Sequence, residues 1–251
     1  MAKIASRPWV GPWGRLLGLC GAAFSLSCVG VDAPLPDEQP TGPCLAQGIS
    51  EKSRYPSGDA LGHPDPTSAK AAKQARASRI TNPAWIRQPD TARHPVREGD
   101  YLLINDKIAV YIEAPGTSDG YQPFGGDIVA LDSVAADGKP AGTSLYGESI
   151  MALSRQVVAA ESVSVMNDGS DGKAAVVRAS GVLKNLPFLE AFGGVLTEEF
   201  NFPVALDYIL EPGAQSVKVR LHLMNTRAED LPLYRHQLFV LFHSSRGQMF
   251  S

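Results

Sequence analysis

Residues 101–112 read YLLINDKIAVYI. Tyr101 to Ile104 and Ile108 to Ile112 are apolar runs flanking the polar triplet Asn105-Asp106-Lys107. Such a pattern predicts two strands around a tight turn, with Ile108, Val110 and Ile112 on one face. Downstream the texture persists. Pro115 to Gly126 (PGTSDGYQPFGG) is a loop of turn residues, and Asp127 to Val134 is a strand ended by Ala136-Asp137-Gly138-Lys139. Glu161 to Asn167 and Lys173 to Val182 predict a hairpin around Asp168-Gly169-Ser170-Asp171-Gly172. Val204 to Leu210, the turn Glu211-Pro212-Gly213-Ala214, and Ser216 to Asn225 predict another. In its second arm Val217, Val219, Leu221 and Leu223 face inward, while Lys218, Arg220 and His222 face outward. Gln237 to His243 is a more apolar strand.

Two stretches read differently. Ser144 to Ala160 places Ile150, Leu153, Val157 and Val158 on a helical face but also suits extended chain. Leu183 to Phe200 has Phe188, Phe192 and Leu196 at helical spacing, split by Gly193-Gly194, and predicts one or two short helices over a sheet edge. The expected fold is mainly β: an antiparallel β-sandwich or supersandwich with short helical insertions. The chain stops at Gly247 to Ser251, directly after an apolar strand. A sandwich cut there would leave an edge unpaired, so the domain is expected to be truncated at its C-terminus.

Upstream, Val29 to Gly99 reads as an arm. Pro34, Pro36, Pro40, Pro43, Pro56, Pro64 and Pro66 interrupt regular structure in its first half. Thr67 to Arg79 (TSAKAAKQARASR) is Ala-rich, with Lys70, Lys73, Arg76 and Arg79 every third residue, and predicts a short helix with one basic edge. That helix reads as solvated linker, or alternatively as resting on anionic head groups. Trp85 and Ile86 are expected to dock on the following domain.

The first residues carry an address. Lys3 and Arg7 precede the apolar run Leu16 to Leu26, too short for a membrane span and suited to an export signal. Ser27-Cys28 then fits a lipoprotein signal, with Cys28 as the lipidated first residue of the mature chain. Leu26 stands one place later than the lipobox prefers. Ordinary cleavage after Ser25 is the alternative, and it would leave Cys28 and Cys44 able to form a disulfide. Val29 after the cysteine follows the outer-membrane sorting pattern of Gram-negative lipoproteins. The expected organisation is a signal peptide at 1–27, a Pro-rich tether at 28–99 and a sandwich at 100–251.

Net charge is −3 and pI about 6.0, so no basic field points to nucleic acid. Three cysteines provide neither a disulfide framework nor a Cys-based zinc site. No nucleophile elbow, phosphate loop or dinucleotide fingerprint occurs. His63, His94, His222, His236 and His243 form no HxH or HExxH pattern. Asp168 and Asp171 could offer a Ca²⁺ loop, but they miss the EF-hand spacing and suit a hairpin turn. Asp100, Asp106, Asp127 and Glu148 are expected as turn and edge residues, with a carboxylate pair as the alternative. No cofactor or metal is expected.

Glu98 to Asp106 (EGDYLLIND), Ser118 to Gly126 (SDGYQPFGG), Asn167 to Val177 (NDGSDGKAAVV) and Tyr208 to Gly213 (YILEPG) carry a resemblance. The region from Ile80 to His243 resembles the N-terminal part of large predicted lipoproteins of myxobacteria. In several of those, similar β-rich regions precede carboxypeptidase-regulatory-like sandwiches or a PHP-type metal hydrolase domain. The PHP metal-ligand motifs are absent here, so the resemblance implies hydrolysis only in a further C-terminal part. Strand order and the PG turn also resemble the supersandwich of mutarotase-like proteins, whose catalytic residues do not map onto this chain. The expectation is an outer-membrane or periplasm-facing lipoprotein whose sandwich scaffolds or binds an envelope polysaccharide or protein. The alternatives are a carbohydrate-active mutarotase-like domain, or the leading region of a larger metal-dependent hydrolase.

Overall fold

The computed structural model describes residues 49–50, 52–118, 120–153, 156–187, 199–227 and 238–244. Its strands are β1 (Ala75–Arg79), β2 (Tyr101–Asn105), β3 (Ile108–Ile112), β4 (Ile128–Ser133), β5 (Tyr146–Leu153), β6 (Gln156–Asn167), β7 (Ala175–Asn185), β8 (Pro203–Leu210), β9 (Lys218–Leu223) and β10 (Leu238–Ser244). They form two antiparallel sheets, ordered β1-β2-β3-β4 and β10-β5-β6-β7-β8-β9. This is the β-sandwich expected, with little helix.

The 101–112 hairpin is its centre. Tyr101 pairs with Ile112 and Ile104 with Ala109. Every residue of β2 and β3 is buried because both faces of the sheet are covered. Leu103, Val110 and Ile112 join Val163, Val177 and Leu206 of the six-stranded sheet in the main core. Leu102, Ile104 and Tyr111 pack on Ile80, Trp85 and Val96 on the other side. Trp85 docks as expected, and its carbonyl accepts from the Tyr111 hydroxyl at 2.8 Å. Asn105 closes the turn: its Oδ1 accepts from the amides of Lys107 (2.8 Å) and Ile108 (2.9 Å). Its Nδ2 donates to the carbonyls of Glu211 and Ala214, each at 2.9 Å, tying this turn to the PG turn of the other sheet.

The arm needs correction. No helix spans 67–79: Pro66–Ser68 is a single 3-10 turn capped by Asp65, and Ala75–Arg79 is strand β1, paired from Ala75↔Asn105 to Arg79↔Tyr101. Alanine's helix preference is worth a few tenths of a kcal/mol per residue, roughly 0.5 against an average residue, and tertiary pairing overrides it. Ala75 and Ala77 are fully buried in the main core, where β1 faces the opposite sheet. The sandwich therefore begins well before residue 100. Asp59 exchanges both backbone hydrogen bonds with Val165 of β6, at 2.8 Å each. The Leu61 carbonyl accepts from the amide of Arg79 (2.7 Å), and the His63 amide donates to the carbonyl of Ala77 (2.9 Å). One short strap thus covers the edge strand β1 of the four-stranded sheet and the stretch of β6 that β5 leaves unpaired.

The ambiguous 144–160 stretch is two strands, β5 and β6. Leu183 belongs to β7, which runs on to Asn185, so the expected helix cannot start there. Residues 188–198, with Phe188, Phe192 and Leu196, lie outside the described residues, as do Cys28, Cys44 and His236. The hairpins 161–182 and 204–225 stand, and Val217, Val219, Leu221 and Leu223 pack on the core. Gly181 faces a register shift in β6, where a Cβ would lie 1.9 Å from the Ala159 carbonyl oxygen. Among the described residues no helix is long and apolar enough to cross a membrane.

Candidate functional site

Two clusters of charged side chains stand out, one on the outer face of the six-stranded sheet and one beneath the 114–126 loop. On the outer face, adjacent strands align Arg178 (β7), Asp207 (β8) and His222 (β9). Arg178 is directly opposite Asp207, and His222 is opposite Ala205. Strand alternation sends all three away from the core, which takes their neighbours Val177, Leu206 and Leu221. Arg178 grips the carboxylate in a fork, Nε to Oδ1 at 2.6 Å and Nη2 to Oδ2 at 2.9 Å. His222 Nε2 lies 2.7 Å from Oδ2. Burial pushes the Asp207 carboxyl up, but the bonds and charges of Arg178 and His222 outweigh it and hold it at about 2. Tyr55 lies over the cluster, its ring 5.6 Å from that of His222 and 6.0 Å from the Arg178 guanidinium carbon. Burial pushes the Tyr55 hydroxyl up to about 12.

The second cluster is more deeply buried. Glu113, just after β3, and Asp127, just before β4, form the neck of the loop. The Glu113 amide donates to the Asp127 carbonyl at 2.9 Å, and the Gly126 amide to the Glu113 carbonyl at 3.1 Å. The tip lies on Glu148 of β5, whose Oε2 accepts from the Tyr121 amide (3.0 Å) and Oε1 from the Gln122 amide (2.9 Å). Gly120 allows this approach: a Cβ there would lie 2.5 Å from Glu148 Oε1. His94 Nε2 is 3.7 Å from Glu148 Oε2, and both side chains are buried. Asp127 is 3% exposed, and its buried Oδ2 has no hydrogen-bond partner among the described residues. Burial, then the charges of Glu148 and Glu113, push its carboxyl well above the usual range.

Asp168 and Asp171 lie in the β6–β7 turn as the hairpin reading expects. Asp168 accepts from the Ser170 amide and hydroxyl, both at 2.8 Å, and Asp171 from the Lys173 amide at 3.0 Å. Gly169 and Gly172 take φ of 79° and 77°, which glycine tolerates best. The turn also serves the fold, because the carbonyls of Asp168 and Gly169 accept from the Ala77 amide (3.2 Å) and Arg76 Nη1 (2.7 Å). Asp100 is a clamp, its Oδ2 on the Arg97 amide and Oδ1 on the Ala114 amide. Asp106 pairs with Lys107 at 3.0 Å. Of the four acids expected as turn and edge residues, Asp127 and Glu148 instead share a buried centre. Among the described residues no group of three or more His, Cys, Asp or Glu is placed to hold a metal ion.

Arg178 and Asp207 escaped sequence reasoning as site residues. The available signal was the outward position of His222 in a well-alternating strand, because its cross-strand neighbours then face the same way. The His94–Glu148 contact had no local signal. No family model matches the chain, and neither the curated proteins nor the solved structures hold a match to it.

Proposed function

We propose that this chain is an exported, lipid-anchored envelope protein whose β-sandwich scaffolds or binds an envelope polysaccharide or protein and has no catalysis of its own. Lys3, Arg7, the apolar run to Leu26 and Cys28 support export and anchoring. The observation that carries the binding reading is the occupancy of Asp207. Its two oxygens already take Arg178 Nε, Arg178 Nη2 and His222 Nε2, which makes the cluster a brace across three strands rather than a poised acid–base pair. The test has two arms. Membrane fractionation of wild type and Cys28→Ser should move the protein from the detergent-soluble to the soluble fraction. A screen of the purified chain against sugars and phosphoesters should show no turnover; turnover that survives purification overturns the reading.

One observation favours a second reading, a carbohydrate-active domain. His222 and Asp207 are a hydrogen-bonded His–carboxylate pair on a sheet face, beneath an aromatic ring. That reading requires the chain to speed anomer exchange of a free hexose and His222→Ala to abolish the effect. A rate equal to buffer removes it.

A further inference from the structure

The outer face of β7, β8 and β9 carries more positive charge than its one acid engages. Asp207 stands in register between two arginines, Arg178 on β7 and Arg220 on β9. Its oxygens are taken by Arg178 and His222. Arg220 is exposed and has no hydrogen bond or ion pair among the described residues. Alternation along β9 puts Lys218, Arg220 and His222 on this face, because Val219, Leu221 and Leu223 pack inward. Lys218 makes only a surface contact with Glu211, at 3.9 Å. Tyr55 rests beside His222, and its hydroxyl has no hydrogen-bond partner among the described residues.

Arg220 and Lys218 can only donate hydrogen bonds, and Tyr55 adds a hydroxyl on an aromatic ring. With the one carboxylate already saturated, the face suits an acceptor-rich anion. A protein partner would need apolar anchors at the centre of the contact. The large apolar side chains exposed among the described residues are Leu61, Tyr121, Leu145 and Met166, and none belongs to β7, β8 or β9. A sugar chain sets its C–H face against an aromatic ring and makes its other contacts as hydrogen bonds. Arg220 and His222, the residue on which Tyr55 rests, are about 7 Å apart along β9, within the span of neighbouring groups on one sugar chain. We propose that this face binds a carboxylate-bearing polysaccharide, with a sugar carboxylate on Arg220 and the adjoining sugar ring against Tyr55. The inference rests on the binding reading above and names its ligand.

The test is calorimetric titration of the full chain in detergent with polygalacturonate, with its neutral methyl ester, and with polyglutamate as an acidic polypeptide. Polygalacturonate should bind, more weakly as salt is raised, and the ester should bind at least about tenfold less tightly. Arg220→Ala should weaken polygalacturonate binding about tenfold, the worth of one charge-assisted hydrogen bond. Tyr55→Leu should weaken it by a smaller factor. Lys139→Ala, which removes the same charge beyond β4, should change nothing. Absence of polygalacturonate binding overturns the inference, as does binding that Arg220→Ala leaves intact. Equal binding of acid and ester overturns the acidic ligand and leaves the polysaccharide-binding reading standing. Polyglutamate bound as tightly, and lost in Arg220→Ala, assigns the face to an acidic protein segment and overturns the sugar. Catalytic turnover in the substrate screen overturns the underlying reading, whichever polymer binds.

Discussion

Asp207 and Asp127 are both acids of one small sandwich and both nearly buried, at 5% and 3% exposure, yet their surroundings pull them in opposite directions. Asp207 lies on the outer face of the six-stranded sheet within reach of three charged or ring nitrogens, and its carboxyl is held at about 2. Asp127 lies at the neck of a loop beside two more acids, and its carboxyl is pushed well above the usual range. Burial acts the same way on both, and the partners decide the outcome. A cross-strand register delivers partners of known identity to one spot, as β7, β8 and β9 do for Asp207. A loop neck brings chain segments together without matching their charges.

The contrast can be broken most forcefully at Asp207. Replacing it by alanine leaves the Arg178 guanidinium without its counter-charge on a mostly covered face, and should cost on the order of 3 kcal/mol in urea unfolding. Asp127→Asn, which keeps shape and removes only the capacity to ionise, should leave stability at acidic pH near wild type. A comparable loss from both substitutions would erase the distinction.

The pH profile sharpens it. Asp207 has a lowered carboxyl, so its contribution is present above the ordinary carboxylate range and is lost as pH falls towards about 2. Asp127 has a raised one, so its contribution is present at low pH and is lost as pH climbs through that raised value. Thermal melts across pH should therefore lose their acid limb in Asp207→Asn and their alkaline limb in Asp127→Asn. His222→Ala should cost less than Asp207→Ala, about 1 kcal/mol for one hydrogen bond, because the Arg178 fork survives. The smallest effect belongs to the β6–β7 turn. With Asp168 and Asp171 taken by local amides, millimolar Ca²⁺ should leave the melting temperature unchanged, and a rise would reveal a cation loop there.

Much of the sandwich was legible because its hairpins carry their own signals. The 101–112 hairpin has a polar turn between apolar runs, and β9 alternates over its length. Strand β1 was illegible for a physical reason. Ala75 and Ala77 are small and helix-favouring, and only the β2 edge and the facing sheet make them a strand. Strands β5 and β6 were ambiguous because apolar residues at 150, 153, 157 and 158 suit a helix face as well as two buried strands. The site was legible one residue at a time. Asp127 and Glu148 stood out as acids, and His222 as an outward histidine. Their partners come from strands and loops distant in sequence, which no local pattern encodes.

The most direct measurement is a carboxyl-carbon NMR titration of Asp207 and Asp127 in one sample of the full chain. The account predicts that Asp207 stays ionised until pH approaches about 2, while Asp127 keeps its proton well above the ordinary carboxylate range. Two midpoints together in the ordinary range would contradict it.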